Sequence, residues 1–74
     1  MQFDYSKLLG RIRERGMTQE ILAHKIGINA ATLSVKLNNK AFFTQLEMLA
    51  ICEVLEICLV EIGIYFFTPK VQKI

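Results

Sequence analysis

The sequence contains only one histidine and two cysteines, and this shortage excludes several classes of function. His24 stands alone, and Cys52 and Cys58 match neither a CxxC pair nor a zinc-ligand pattern. The chain also lacks a nucleophile–base set, a carboxylate pair and a glycine-rich phosphate loop. We therefore expect no enzyme activity and no metal, cofactor or small-molecule site. We interpret the two cysteines as reduced residues that fill apolar space.

Long apolar runs are missing as well. No stretch approaches the ~18 uninterrupted apolar residues that a membrane-spanning helix needs. The N-terminal segment carries charges throughout, unlike a signal peptide, and reads MQFDYSKLLGRIRERG. We therefore expect a cytoplasmic protein. A chain of 74 residues holds one domain, here over residues 1–74. Its 53% hydrophobic content is high for this length and favours efficient packing together with apolar surface that a partner covers.

Acidic residues are scarce in the first half of the chain. Residues 1–40 contain seven basic and three acidic residues, a net charge of +4, whereas residues 41–74 contain two basic and four acidic residues, a net charge of −2. This asymmetry favours contact between one end of the molecule and a polyanion. An ordinary solvated surface is the alternative.

Capping signals predict four helices separated by short turns. Asp4 can cap a first helix over residues 5–15, which Gly16 ends. Thr18 caps a second helix that ends at Gly27, and Asn29 caps a third over residues 30–37. The spacing of Thr44 and Glu47 is a capping box that starts a fourth helix over residues 45–56.

The last part of the chain predicts a short fifth helix near residues 59–62 and then an extended tail. β-Branched and aromatic residues dominate IGIYFFTPK, and Pro69 disfavours further helix. A short edge strand is one option for this tail. The expected fold is therefore all-α, a compact bundle of about five short helices.

The second and third helices form a predicted helix-turn-helix over residues 18–38. Only Gly27 and Ile28 separate the end of one helix from the cap of the next, which forces a sharp change of direction. In the third helix Leu33 and Leu37 share an inner face, whereas Ala31 and Val35 lie opposite, bordered by short polar side chains. This small, uncharged outer face can approach the major groove of DNA closely. The alternative is a helix that simply packs against protein.

This part of the chain resembles the helix-turn-helix of phage Cro/repressor-type proteins, also called the XRE family. The matching residues are Thr18, Gln19, Ala23, Gly27, Ile28, Leu33, Ser34 and Leu37. The wider sequence is similar to small Cro-like regulators of Gram-positive phages and prophages. The resemblance implies a lambda-repressor-like domain that regulates transcription in the cytoplasm of a bacterial host. It would bind a palindromic double-stranded DNA operator as a homodimer. An antitoxin-type or protein-binding helix-turn-helix module remains the alternative.

The same resemblance implies a set of DNA-contacting residues. Those expected to contact bases are Asn29, Ala30, Ala31, Thr32 and Val35. Those expected to contact the DNA backbone are Gln19, Ser34, Lys36, Asn38, Asn39 and Lys40, and charge adds Lys25 and the arginines of the first helix. The chain departs from the family pattern at Ala30 and Ala31, where many relatives carry long polar side chains. It departs again at Asn39, which replaces the usual glycine but tolerates a left-handed backbone.

The aromatic residues predict a dimer interface. All seven lie outside the helix-turn-helix, and three are consecutive, so one small core cannot easily bury them all. We expect a dimerisation segment over residues 58–74. Its predicted interface residues are Leu59, Ile62, Tyr65, Phe66 and Phe67. Alternatively, these rings fold back onto the first and fourth helices. Because the chain ends at Ile74, we expect a Cro-like or stand-alone repressor without a separate oligomerisation domain.

Overall fold

The computed structural model describes residues 2–71, and α-helices dominate that range. The elements in chain order are α1 (Ser6–Glu14), α2 (Gln19–Ile26), α3 (Ala30–Leu37), α4 (Gln45–Leu55), a 3-10 turn (Leu59–Glu61) and α5 (Ile62–Phe66). The prediction of an all-α bundle with about five short helices is therefore confirmed. No helix within residues 2–71 is long and apolar enough to cross a membrane.

Short polar side chains start the helices where the sequence predicts them. The side-chain oxygens of Thr18 and Asn29 accept hydrogen bonds from backbone N–H groups in the first turns of α2 and α3. Thr44 and Glu47 form the predicted reciprocal capping box at the start of α4. Asp4 accepts from the N–H of Ser6 at 2.8 Å, so it satisfies the first donor of α1 as expected.

Left-handed residues end the first three helices. Gly16 (φ 70°) follows α1 and Gly27 (φ 80°) follows α2, in a conformation that glycine adopts without a steric cost. Asn39 (φ 63°) adopts the same left-handed conformation after α3, as the tolerance of asparagine for this backbone allows. The two glycine endings let α2 and α3 begin only a few residues later, which gives the turn between α2 and α3 its compact form.

The core lies between the helices and draws side chains from all five. Its buried residues are Tyr5, Leu8, Ile12, Leu22, Ala23, Leu33, Leu37, Ile51, Cys52, Leu55, Ile57 and Phe66. Helix α2 packs against both α3 and α4, and α5 packs against α1 and α4. Cys52 is buried and Cys58 exposed, and neither is in a disulfide. Burial raises the pKa of the Cys52 thiol and keeps it uncharged.

The structure corrects the prediction for the C-terminal segment. Residues expected to be extended instead continue the 3-10 turn into α5, and the helical backbone ends only at Phe66. Burial explains the difference, because the helix places the Phe66 ring against Phe43, with ring centroids 5.4 Å apart. The tail then forms a single antiparallel bridge between Pro69 and Phe3. The last three residues of the predicted segment 58–74 lie outside the described residues.

Candidate nucleic-acid interface

Helix α3 has one buried face and one free face. Leu33 is fully buried and Leu37 nearly so, which fixes the helix against α2 and the core. On the opposite side Ala31, Thr32 and Val35 are exposed, and Val35 leaves 42% of its surface to solvent. The predicted division of α3 into an inner and an outer face is therefore confirmed. The outer face presents methyl groups and one hydroxyl to the solvent.

The two alanines at the start of α3 differ in their surroundings. Ala30 is half-buried and packs against the core, whereas Ala31 is exposed. Ala30 is therefore the least accessible of the five residues predicted to contact bases. Asn29 is exposed, but its side-chain oxygen accepts from the N–H of Ala31 at 2.7 Å. Its amide NH2 group is the part that can reach an external acceptor.

Lys36, which was expected to contact the DNA backbone, is engaged within the protein. Its Nζ lies 2.5 and 2.6 Å from the two carboxylate oxygens of Glu47, and its side chain is only 12% exposed. We therefore remove Lys36 from the residues expected to contact the DNA backbone. Burial opposes ionisation of Glu47, but hydrogen bonds from Lys36 and from the N–H of Thr44 outweigh it and lower the pKa of this carboxyl.

Asn39 is also engaged within the protein. Its Oδ1 accepts from the N–H of Phe3 at 2.8 Å, and its Nδ2 donates to the carbonyl of Phe3 at 2.9 Å. Both polar groups of the amide are thus occupied, although Nδ2 carries a second hydrogen. This contact joins positions 36 residues apart in the chain. The role of Asn39 as a DNA-backbone contact, which could use only that second hydrogen, stays a prediction.

Two further predicted backbone contacts interact with each other. Asn38 Nδ2 donates to the carbonyl of Ser34 at 2.8 Å and lies 3.4 Å from its hydroxyl. Ser34 is half-buried and Asn38 exposed. The Asn38 amide therefore lies along the last turn of α3, where its remaining hydrogen is the group that can reach a phosphate.

The exposed polar residues that remain lie at the ends of the helix-turn-helix. Gln19 begins α2, Lys25 lies in its last turn, and Lys40 lies three residues after the end of α3. Gln19 also lies at the rim of a shallow groove beside Arg13, which is exposed. Together with Asn38, these four side chains are accessible donors that could meet phosphates.

Two arginines, one in α1 and one directly after it, have structural roles that the sequence did not indicate. Arg11 donates to the carbonyls of Leu55 and Glu56, both at 3.0 Å, and so caps the C-terminal end of α4. Arg15 forms an ion pair with the Glu56 carboxylate. Their partners are more than 40 positions away, and no local pattern marks them. Of the arginines in or directly after α1, only Arg13 stays free for a phosphate within the described range.

The predicted dimer residues divide into buried and exposed groups. Phe66 is 2% exposed and belongs to the core, so its assignment to an interface is wrong. Ile62 and Tyr65 are half-buried against that core, whereas Leu59 (56%) and Phe67 (49%) are exposed. The three consecutive rings thus diverge because α5 turns them in different directions.

Two exposed apolar residues were not among the predicted interface residues. Val60 is 89% and Ile64 44% exposed, and with Phe67 they follow helical spacing of four and three residues. We call Val60, Ile64 and Phe67 the α5 stripe. The spacing of these three residues could be seen in the sequence. It gained significance only with the helical geometry of residues 62–66, because side chains four and three residues apart do not fall on one side of an extended tail.

No arrangement within residues 2–71 groups three or more histidine, cysteine or acidic side chains so that they could hold a metal ion. His24 is exposed on α2. A family described as "Protein of unknown function (DUF739)" matches residues 1–69 of this chain. No curated protein matches the sequence. Functional conclusions therefore depend on the arrangement of the residues themselves.

Proposed function

We propose that this chain, which belongs to the DUF739 family, is a sequence-specific DNA-binding regulator that places α3 in the major groove. One observation carries the proposal. The outer face of α3 is exposed and uncharged, and the lysine of this helix is held by Glu47 instead of solvent. An ordinary solvated helix carries charged residues on its outer face.

The chemistry of this face favours thymine-containing sites. The methyl groups of Ala31, Thr32 and Val35 can contact the 5-methyl group of thymine, which lies in the major groove. Short side chains also let the helix backbone approach the base edges closely. The Thr32 hydroxyl and the Asn29 amide supply hydrogen bonds at the border of the face.

Affinity in this proposal comes from phosphate contacts around that face. Lys25 is exposed in the last turn of α2 and Lys40 just after α3, and Gln19 and Arg13 are exposed as well. Contacts between such cations and phosphates release counterions, so they supply binding energy that falls as salt rises. Base contacts and groove shape then supply the specificity.

We propose that the functional unit is a homodimer that forms through the α5 stripe and Leu59. These four exposed apolar side chains lie within residues 59–67, in the 3-10 turn, in α5 and directly after it, and exposed apolar residues clustered in this way are typical of an interface. A dyad through such an interface would present two α3 helices to half-sites ~34 Å apart on a palindromic operator. In this proposal the protein acts as a Cro-like or stand-alone repressor in the cytoplasm of a bacterial cell.

The decisive experiment measures binding to DNA directly. Fluorescence anisotropy with a random-sequence duplex at low salt should detect binding, and selection from a random pool should enrich a palindrome. Val35→Glu should abolish binding, because it places a carboxylate among phosphates. Gln45→Glu is the matched control, since Gln45 is exposed on α4 and outside the proposed interface. Absence of any binding by the wild-type protein at low salt would overturn the proposal.

A second candidate is a module that acts through a protein partner. Phe42 (79%) and Leu46 (78%) are strongly exposed at the start of α4 and do not belong to the α5 stripe. Large apolar side chains with this exposure are typical of a protein-binding surface. A failure of the random-duplex experiment would favour this candidate over DNA binding.

A further inference from the structure

The side chain of Asn39 pairs with the backbone of Phe3 as a neighbouring strand would. It accepts from the Phe3 N–H at 2.8 Å and donates to the Phe3 carbonyl at 2.9 Å. We call this pair of hydrogen bonds the amide clamp. The φ angle of Asn39 is 63°, a conformation in which glycine would be favoured. The backbone conformation alone would therefore favour glycine at this position. Glycine has no side chain and cannot form the clamp, so the clamp gives asparagine a role that glycine could not fill.

Phe3 is bound to the C-terminal tail by its neighbours in the chain. Asp4 donates its N–H to the carbonyl of Thr68 at 2.8 Å, and the N–H of Lys70 donates to the carbonyl of Gln2 at 3.0 Å. Residues 2–4 therefore lie between the end of α3 on one side and the tail on the other. The Phe3 ring also meets Phe67 edge-on, with centroids 5.8 Å apart.

We infer that Asn39 is a positioning residue that fixes the end of the recognition helix relative to the α5 stripe. This inference rests on the proposed function, because the stripe forms the proposed dimer interface. The connection runs from Asn39 through the Phe3 backbone to the tail, and through the Phe3 ring to Phe67. In a dimer, this connection sets the distance between the two α3 helices.

The clamp is separate from the contacts that hold α3 in place. Leu33 and Leu37 anchor the helix in the core, and Lys36 binds Glu47 at the start of α4. Loss of the clamp therefore leaves each α3 able to read one half-site. It frees the tail and Phe67 to shift relative to α3, so a dimer would accept half-sites at several spacings.

The test compares two variants that each replace a left-handed residue with glycine. Asn39→Gly keeps the backbone conformation and removes only the clamp. Glu56→Gly is the control, because Glu56 (φ 55°) lies at the end of α4 and its side chain binds Arg15 instead of the clamp. The readouts are amide hydrogen exchange at Phe3 and affinity for single half-sites and for paired half-sites with varied spacers.

We expect Asn39→Gly to remove the exchange protection of the Phe3 amide. Binding to the preferred paired site should weaken roughly tenfold, because it would then have to impose the geometry that the one or two hydrogen bonds of the clamp hold in the free protein. Half-site affinity should stay at the wild-type level, and the preference among spacers should flatten. Glu56→Gly should behave as wild type in all three measurements.

Three outcomes would overturn the inference, and they are distinguishable. An Asn39→Gly variant with wild-type spacer preference refutes the positioning role but leaves the proposed function intact. Equal losses at half-sites and paired sites would assign Asn39 a general structural role instead. A wild-type protein that binds no duplex refutes the proposed function and, with it, any positioning of α3 on DNA.

Discussion

Lys36 and Glu47 form a largely buried ion pair that joins α3 to the first turn of α4. The Nζ of Lys36 lies 2.5 and 2.6 Å from the two carboxylate oxygens, and the side chains are 12% and 16% exposed. The same Glu47 accepts from the N–H of Thr44 at 2.8 Å. One carboxylate therefore holds the helix cap of α4 and the only charged side chain of α3, which leaves the outer face of α3 neutral.

Replacing Lys36 with methionine should lower the free energy of unfolding by roughly 1–2 kcal/mol, because the Glu47 carboxylate loses its charged donor while it stays largely buried. Urea denaturation monitored by circular dichroism measures the change. Lys7→Met is the matched control, since Lys7 is exposed on α1, and it should change stability by less than about 0.5 kcal/mol. Equal effects of the two variants would mean that the ion pair contributes nothing measurable.

Stability should fall in acid, and Glu47 should account for part of the fall. The pKa of Glu47 is lower in the folded protein than in the unfolded chain, so the unfolded state binds more protons. Its contribution is present above the usual carboxyl pKa of roughly 4.3 and is lost as the pH falls through the lower folded value. Unfolding curves between neutral and acidic pH measure this dependence. Glu47→Gln should show a shallower fall than wild type, and an identical pH profile would contradict the assignment.

Removal of one phosphate-contacting lysine should reduce the salt dependence of DNA binding. For Lys40→Ala, the slope of log affinity against log salt concentration should fall by about one unit. Lys36→Met should leave the slope unchanged, because Lys36 is bound to Glu47. Lys7→Ala is the surface control. A smaller slope for Lys36→Met would indicate that Lys36 contacts a phosphate in the complex.

Thymine methyl groups should contribute to operator binding. Once a site is known, uracil can replace the thymines that face Ala31 and Val35, a change that removes only the methyl group. Affinity should fall by a factor of roughly three per methyl, as the loss of one buried methyl implies. Uracil at thymines outside the site should have no effect. Equal affinity for both duplexes would contradict methyl recognition but not DNA binding.

A charge in the α5 stripe should dissociate the dimer. Ile64→Glu places a carboxylate at a position that is 44% exposed in the single chain but covered in the proposed interface. Sedimentation velocity at tens of micromolar should find wild-type dimer and mutant monomer. Leu46→Glu makes the same change at the other exposed apolar surface and should leave the dimer intact. If Leu46→Glu dissociates the dimer and Ile64→Glu does not, the interface lies on α4 and not on the α5 stripe.

Most helix boundaries could be predicted because their causes are local. The hydrogen bonds of Thr18, Asn29 and the Thr44–Glu47 box join residues two or three positions apart, and the left-handed glycines act within one turn. The two faces of α3 also follow from spacing within one helix. The tail was predicted less well, since the β propensity of its aromatic residues gave way to burial of Phe66 against Phe43.

Local sequence was sufficient to predict the first four helices, the tight turn between α2 and α3, and the small, methyl-rich outer face of α3. Which polar groups beside that face remain available depends on how the helices pack. Lys36, Asn39 and Arg11 bind partners 11, 36 and 44 positions away, and such pairings exist only after the helices have packed. Local sequence patterns predict the interactions of a residue within its own helical turn. Whether its side chain remains available depends on neighbours from distant parts of the chain.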